Sequence, residues 1–516
     1  MVNPGVVSGY LSSDLDMLPP AAQHRAYSIP SENEVSPKAD GEYTKDDIYA
    51  EKTLDGSDKH DVDGVYTTDE RNPPQQVLKT ATWLSTFFLI TTDVLGPSVA
   101  PWAMSLLGYV PGSLVMFSLG VVATYASLVL LNLFIKLDTP ETPIRTFSDL
   151  TERIFSHYGY TIGRISRHVS SFLQGLQLLM AVSILIFGSG AVLSQLVNFN
   201  LCFVICTVII AIVGNVGGLI KSFQRLSILA NFSVWMNLTI CFLCMGVAQN
   251  AGALNPSTNA IVPQSQIVTA AFLNTPFAYQ ATAISNIIYA YGGATMYVEL
   301  MAEMKNPREF WKSLAGAEFI IIGMYMLFGL YFYSEQGQFT NNIPQATLAN
   351  LTAQQAANSI GLITGFIAAI MYGNVGLKVI YFTIVNDVFD GPLITTKKGT
   401  IVWSLMSTAY WWTAFIIASS VPNLGTIVGV VGSLCIMQFS YTFPSLMQLL
   451  YYINQGTTIK EKLTQKWALK AMDLTIVLAS LAATGIGMWG SIEGMIQALQ
   501  AGGVLGWGCE NPQYLQ

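Results

Sequence analysis

Asp93-Val94-Leu95-Gly96-Pro97-Ser98-Val99-Ala100-Pro101 interrupts an apolar run over residues 82–107. Two prolines and a glycine in mid-run break the i to i−4 hydrogen-bond ladder. In a bilayer core the freed backbone groups are tolerated only against protein or a wet cavity. Pro97 suits the first position of a new half-helix. The amides of Ser98 and Val99 would then face the break with the positive dipole end behind them, a place that fits a carboxylate. An ordinary proline kink is the competing account, and this stretch alone does not choose between them.

A second interruption lies at Tyr289-Ala290-Tyr291-Gly292-Gly293-Ala294-Thr295. Each glycine there weakens a helix by about 1 kcal/mol. Close packing through small residues explains such a pair equally well when it stands alone. Its position is what counts. The two interrupted spans start on opposite sides and are five spans apart, which is the pointer to an inverted-repeat transporter.

Apolar runs place eleven spans near residues 82–107, 111–136, 171–197, 200–219, 225–248, 276–304, 314–334, 360–386, 400–420, 424–453 and 471–497. Several exceed the roughly 18 residues that mark a spanning helix. The expected fold class is an all-α polytopic membrane protein with about eleven transmembrane helices, the first and sixth broken. Charged residues make up only 11% of the 516, and residues 1–80 hold 15 of the 31 Asp/Glu. The stretch 1–75 reads as a disordered acidic tail without the apolar core of a cleavable signal. Lys38, Lys45, Lys52 and Lys59 recur at seven-residue spacing there, but no apolar heptad accompanies them. Modification of those lysines and regulatory partners of the tail are compatible with this pattern. Such an acidic chain offers nucleic acid no basic face.

With the tail in the cytoplasm, every Lys and Arg but one falls inside or in the tail, from Lys136 and Arg145 through Lys466 and Lys470. That split follows the positive-inside rule. An odd number of spans puts residues 501–516 outside. It also exposes Asn350-Leu351-Thr352 as a glycosylation triplet between the seventh and eighth spans.

Three charges stand in or near the membrane. Asp93 and Lys378 lie roughly 16 Å and roughly 13 Å deep at the helical rise, near the midplane. Such charges seek partners, and these two are candidates for each other; ion or proton coupling and plain packing both remain open. Glu299 lies near Glu303, Lys305 and Arg308, where a rim salt-bridge network competes with proton handling.

No nucleotide, hydrolase or metalloprotease motif occurs, so neither enzyme nor pump is expected and energy should come from an ion gradient. No cofactor or metal is expected. Cys241 and Cys244 form a CxxC with no histidine nearby. The cysteines, five of the six in apolar runs, read as buried membrane cysteines.

The run from Tyr291 to Arg308, with its Glu303-Met304-Lys305-Asn306-Pro307 ending, resembles the sixth-helix signature of the amino acid/auxin permease family. The segment Gly96 to Pro101, followed by Leu107-Gly108-Tyr109-Val110-Pro111-Gly112, is similar to that family's first broken helix. The acidic tail resembles those of the neutral amino acid permeases of filamentous fungi. The resemblance covers about residues 77–497. It implies a leucine-transporter-type fold, with five-helix repeats at about 80–250 and 275–453 plus an extra helix. It also implies an amino acid held by Leu95, Gly96, Pro97, Ser98 and Val99 from the first break and by Ala290, Tyr291, Gly292 and Gly293 from the sixth. The third, eighth and tenth spans would assist. Val94 and Thr92 depart from the family's usual glycine and asparagine, so side-chain preference does not carry over. The function expected is proton-coupled symport of neutral amino acids at the plasma membrane, with the vacuolar membrane second. A non-transporting amino acid receptor and a carrier of another small solute are the alternatives.

Overall fold

The computed structural model describes residues 81–512 apart from 95, 97–98, 141, 221–222, 256–257, 259, 387–388, 393, 395, 457 and 501–504. The tail 1–75 therefore lies outside the described residues, which belong to one compact unit beginning at Gln75.

The helices are α1 (Trp83–Val94), α2 (Val99–Leu107), α3 (Tyr109–Leu137), α4 (Phe147–Phe155), α5 (Tyr160–Leu196), α6 (Phe203–Gly218), α7 (Phe223–Ala248), α8 (Phe277–Ala290) and α9 (Tyr297–Glu303). They continue as α10 (Phe310–Gln336), α11 (Leu351–Ile380), α12 (Lys397–Ser419), α13 (Leu424–Val431), α14 (Phe443–Gln455), α15 (Ile459–Thr464) and α16 (Trp467–Gln500). The one sheet among the described residues is a short antiparallel pair, β1 (Ala253–Leu254) with β2 (Ile261–Val262).

Eight helices among the described residues are long and apolar enough to cross a membrane. Eleven spans were expected, and the three that fall short have physical reasons. The first span is cut between α1 and α2, the sixth between α8 and α9, and α6 has only 16 residues. The chain is an all-α polytopic membrane protein. The third span begins eleven residues before the expected 171, because α5 carries its polar stretch with Arg164 and Arg167 on as helix beyond the apolar run. There Arg167 pairs with Glu152 at 2.9 Å.

The long α5 and α11 pack along each other, α10 packs on α1, α2 and α3, and α8 packs on α16, α13 and α2. The small α4 lies between the second and third spans. A capping box between Thr146 and Asp149 starts it. Its apolar face buries Phe147, Leu150 and Ile154, worth about 2 kcal/mol per side chain. The Phe147 ring meets Phe439 edge-on at 4.9 Å.

Two cysteines depart from the reading of buried thiols. Cys206, Cys241, Cys244 and Cys435 are buried and free, but Cys202 and Cys509 form a disulfide across 307 residues. The segment after α16 thus reaches the start of α6. The carbonyls of Cys509 and Gly508 accept from the N–H groups of Phe203 and Val204 at 3.1 and 3.2 Å. They satisfy amides that a helix start leaves without partners.

Candidate functional site

The two helix breaks face one cavity. α1 ends at Val94, Gly96 is exposed to the cavity, and α2 restarts at Val99. α8 ends at Ala290, a 3-10 turn covers Gly292–Met296, and α9 follows. Tyr325 of α10, fully buried, connects them. Its hydroxyl accepts from the Gly96 N–H at 3.2 Å and donates to the Ala290 carbonyl at 3.0 Å. One hydroxyl thereby satisfies a freed donor at one break and a freed acceptor at the other.

The cavity measures about 250 Å³, slightly below the range of drug-sized pockets. α5 lines it with Gln177, Ile184 and Ser189, α11 with Thr364 and Tyr372, and α13 with Leu424 and Val428. These correspond to the third, eighth and tenth spans. Gly96, Val99, Ala290 and Gly292 line it as well; Tyr291 and Gly293 do not. Tyr291 is buried with its ring against Tyr325, centroids 5.4 Å apart. Leu95, Pro97 and Ser98 lie outside the described residues. Among the described lining residues none is Asp, Glu, Lys, Arg or His.

Two amides of the cavity wall hold buried, unpartnered acceptors. Asn286 donates from Nδ2 to the carbonyls of Thr282 and Gly425 at 2.8 and 2.9 Å, which fixes its orientation and leaves Oδ1 without a partner. Gln177 donates to Thr295 Oγ1 at 2.6 Å, and its Oε1 is likewise unpartnered. Both residues line the cavity. The segment between α10 and α11 closes it on another side with Asn342, Ile343, Pro344 and Gln345, all buried.

Lys378 is not at the cavity. It lies six residues beyond Tyr372, about 9 Å along the axis. Among the described residues Glu303 is a charged neighbour of Lys378. Asp93 falls in the last turn of α1, with its side chain outside the described residues.

The rim salt-bridge network expected for Glu299 is absent among the described residues. Neutral donors hold its Oε1 instead: the N–H of Phe147 at 3.1 Å and Gln174 Nε2 at 2.8 Å. Its Oε2 is buried without a partner. The carboxylate therefore sits at the start of α4, where the helix dipole favours an anion, and ties α9 to α4 and α5. Asn350 is exposed and caps α11, its Oδ1 accepting from the N–H groups of Thr352 and Ala353 at 3.1 and 3.2 Å.

Sequence reasoning missed Tyr325, Gln177, Asn286 and two acids. Gln174 and Gln177 share a helical face, which was a signal; Asn286 sits among Gln280, Thr282 and Ser285 and does not stand out by pattern. The acids are Glu318 on α10, 4% exposed, and Asp473 on α16, fully buried. Asp473 accepts from the Tyr125 hydroxyl at 2.8 Å, and Gln448 donates to that hydroxyl at 3.1 Å, joining α16 to α3 and α14.

An N amino acid transport system protein of Neurospora crassa is 23% identical over 82% of this chain and 86% of its own length. An amino acid transporter of Arabidopsis thaliana is 24% identical over 79% and 90%. A solved nucleobase-cation-symport-1 family transporter, in a closed conformation with bound bromovinylhydantoin, matches with a TM-score of 0.47 at 13% identity over 83% of this chain and 95% of that one. The family model described as transmembrane amino acid transporter protein matches residues 79–493. The chain belongs to the transmembrane amino acid transporter family.

Proposed function

We propose that the chain is a proton-coupled symporter of neutral amino acids working by alternating access. The carrying observation is the cavity at the two breaks, which no charged side chain lines among the described residues. A zwitterion entering it must satisfy both charged ends on neutral groups. The carboxylate is met by amides at the start of α2, with Ser98 and Val99 the sequence candidates. The ammonium is met by Asn286 Oδ1, Gln177 Oε1 and carbonyls at the ends of α1 and α8. The remaining wall, with Ile184, Ile240, Phe328, Leu424 and Val428, suits an uncharged side chain. A second charge on the substrate would find no counter-ion there and would be excluded by its desolvation cost.

Coupling is assigned to the end that bears the Lys and Arg clusters. Glu299 joins broken-helix α9 to α4 and α5 through hydrogen bonds made to a carboxylate. Neutralising it weakens both bonds and the attraction of the α4 dipole, which loosens that end. Lys378 with Glu303, and Asp93, are the other coupling candidates. The two five-span repeats belong to the same proposal, as does glycosylation of Asn350. So does the plasma membrane location, with the vacuolar membrane second. A cytoplasmic start and an outer end are supported by the disulfide, because such bonds persist on oxidising sides of membranes.

The test is uptake of labelled neutral, acidic and basic amino acids into permease-deficient cells, at two external pH values, with and without sodium. Saturable neutral amino acid uptake that rises at low pH and ignores sodium is expected. Surface expression without flux of any amino acid would overturn the symporter and favour a receptor.

A further inference from the structure

Glu318 has no place in the scheme above, yet it is among the most buried acids of the described residues. It lies eight residues into α10, about 12 Å along the axis from Phe310. It does not line the cavity, and its Oε2 has no partner. The hydroxyls of Tyr291, Tyr325 and Tyr441 lie within its electrostatic reach. Ile322 and Tyr325 follow it one and two turns along the same face of α10. A methyl group at Gly120 of α3 would come 2.9 Å from both Ile322 Cγ1 and the Tyr291 hydroxyl, so these groups crowd one spot.

Each neighbouring element has a defined contribution. From α3 come Gly120 and the Leu119 carbonyl, which accepts from Tyr441 at 3.3 Å. α7 brings Cys241, which acts on Tyr325, and α2 carries no titratable side chain. α1 carries Asp93, whose side chain lies outside the described residues. The Tyr291 hydroxyl is buried and has no partner. An acceptor and a donor, both buried and both unpartnered, thus stand in one cluster beside the residue that holds the two breaks together. Native proteins leave few such groups, and each calls for a reason.

We propose that Glu318 is a positioning residue that makes substrate affinity depend on protonation, by drawing on or releasing Tyr291 next to the sixth-span break. This rests on the proton-coupling reading above. When Glu318 is ionised, its carboxylate competes for the one unpartnered donor of the cluster, the Tyr291 O–H. A charged hydrogen bond outweighs neutral ones. Pulling Tyr291 shifts its neighbour Ala290, whose carbonyl takes the Tyr325 hydroxyl. When a proton from solution binds Oε2, the pull ends and Tyr325 holds both breaks in the arrangement described. The proton leaves as H⁺ when the carboxylate is next exposed, and no other bond changes. Glu299 controls how fast one end opens; Glu318 controls how well the amino acid binds.

The experiment measures KM and Vmax for a neutral amino acid from pH 5.5 to 7.5 in permease-deficient cells, normalised to surface protein, for the full-length wild type and Glu318→Gln. The wild type is expected to show a KM that falls several-fold toward low pH. In Glu318→Gln that change shrinks to less than about twofold, as when the titrating group leaves the cycle, while Vmax keeps its pH dependence. Should Glu318→Gln fail to reach the surface, Glu318→Asp retains a carboxyl and Tyr291→Phe removes the donor. Glu318→Asp is expected to keep the KM dependence, and Tyr291→Phe to reduce it. A KM profile in Glu318→Gln or Tyr291→Phe that superimposes on the wild type would overturn the assignment of Glu318 alone. Wild-type KM and Vmax that ignore pH would remove proton coupling itself, before any variant is considered.

Discussion

Tyr325→Phe tests the arrangement at its narrowest point. The substitution removes one oxygen and keeps the ring, so the contact with Tyr291 at 5.4 Å remains. The Ala290 carbonyl, in a residue 5% exposed, loses its donor, and the Gly96 N–H loses its acceptor. A buried group left without its partner costs about 1–3 kcal/mol. Gly96 faces the cavity and can turn to water, so its share falls at the lower end. The sum is about 2–4 kcal/mol, or about 30-fold to about 700-fold in kcat/KM at 1.4 kcal/mol per tenfold. The assay is initial-rate uptake of a labelled neutral amino acid over a range of concentrations, normalised to surface biotinylation. Tyr333→Phe is the control. Its hydroxyl also accepts from a backbone N–H, that of Ala270 at 3.2 Å, but it does not line the cavity. It should change kcat/KM less than about threefold, as one modest hydrogen bond outside the site allows. Tyr325→Phe transport within the same threefold would refute the view that this hydroxyl holds the breaks.

Gly292→Ala places a methyl 2.5 Å from Ile436 Cδ1 at the cavity wall. It should depress uptake about tenfold or more, and Ile436→Val should restore most of it by making room; failure of the rescue would point to backbone rather than volume. Glu299→Ala strands two donors and should lower the thermal midpoint of the detergent-solubilised protein. Glu299→Gln offers them an amide oxygen and should spare the midpoint, while raising Vmax at neutral pH toward its acidic value; equal midpoints for both variants would contradict the hydrogen bonds. Peptide mapping without reductant should recover Cys202 linked to Cys509, and either Cys→Ser variant should lower surface yield. Recovery of both cysteines as free thiols from cell-surface protein would count against the outward placement of that end.

The spans were legible because bilayer thickness imposes run length, and the breaks because proline and glycine mark them whatever the neighbours do. The same logic misses what does not announce itself by composition. Asn342 and Gln345 fall between the expected seventh and eighth spans, yet they are buried and line the cavity, since polar residues also suit a wet interior. Glu318 and Asp473 sit near the ends of apolar runs, where an acid looks like a boundary. Thr146 and Asp149 carried a legible capping signal for α4, but no local pattern could reveal that Phe147 donates to Glu299, 152 residues away. The partner of Lys378 and the pairing of six cysteines are likewise tertiary facts. At the cavity, Gly96, Gly292 and Ala290 could be placed from the sequence. Tyr325 could not, because a tyrosine in an apolar span is ordinary until its hydroxyl is seen to have two jobs.

The link between Cys202 and Cys509 also sets an order of manufacture. Cys202, at the start of α6, leaves the ribosome 307 residues before Cys509 of the segment that will cover it. Until synthesis passes Cys509, the amides of Phe203 and Val204 lack the carbonyls that will receive them, and Cys202 keeps a free thiol. The bond therefore closes only after α7 to α16 have been made. On the outward placement proposed above, a nascent protein that stalls anywhere in α10 to α16 keeps an unpaired Cys202 thiol on the luminal side, where a retention system that reads exposed cysteines can hold it back.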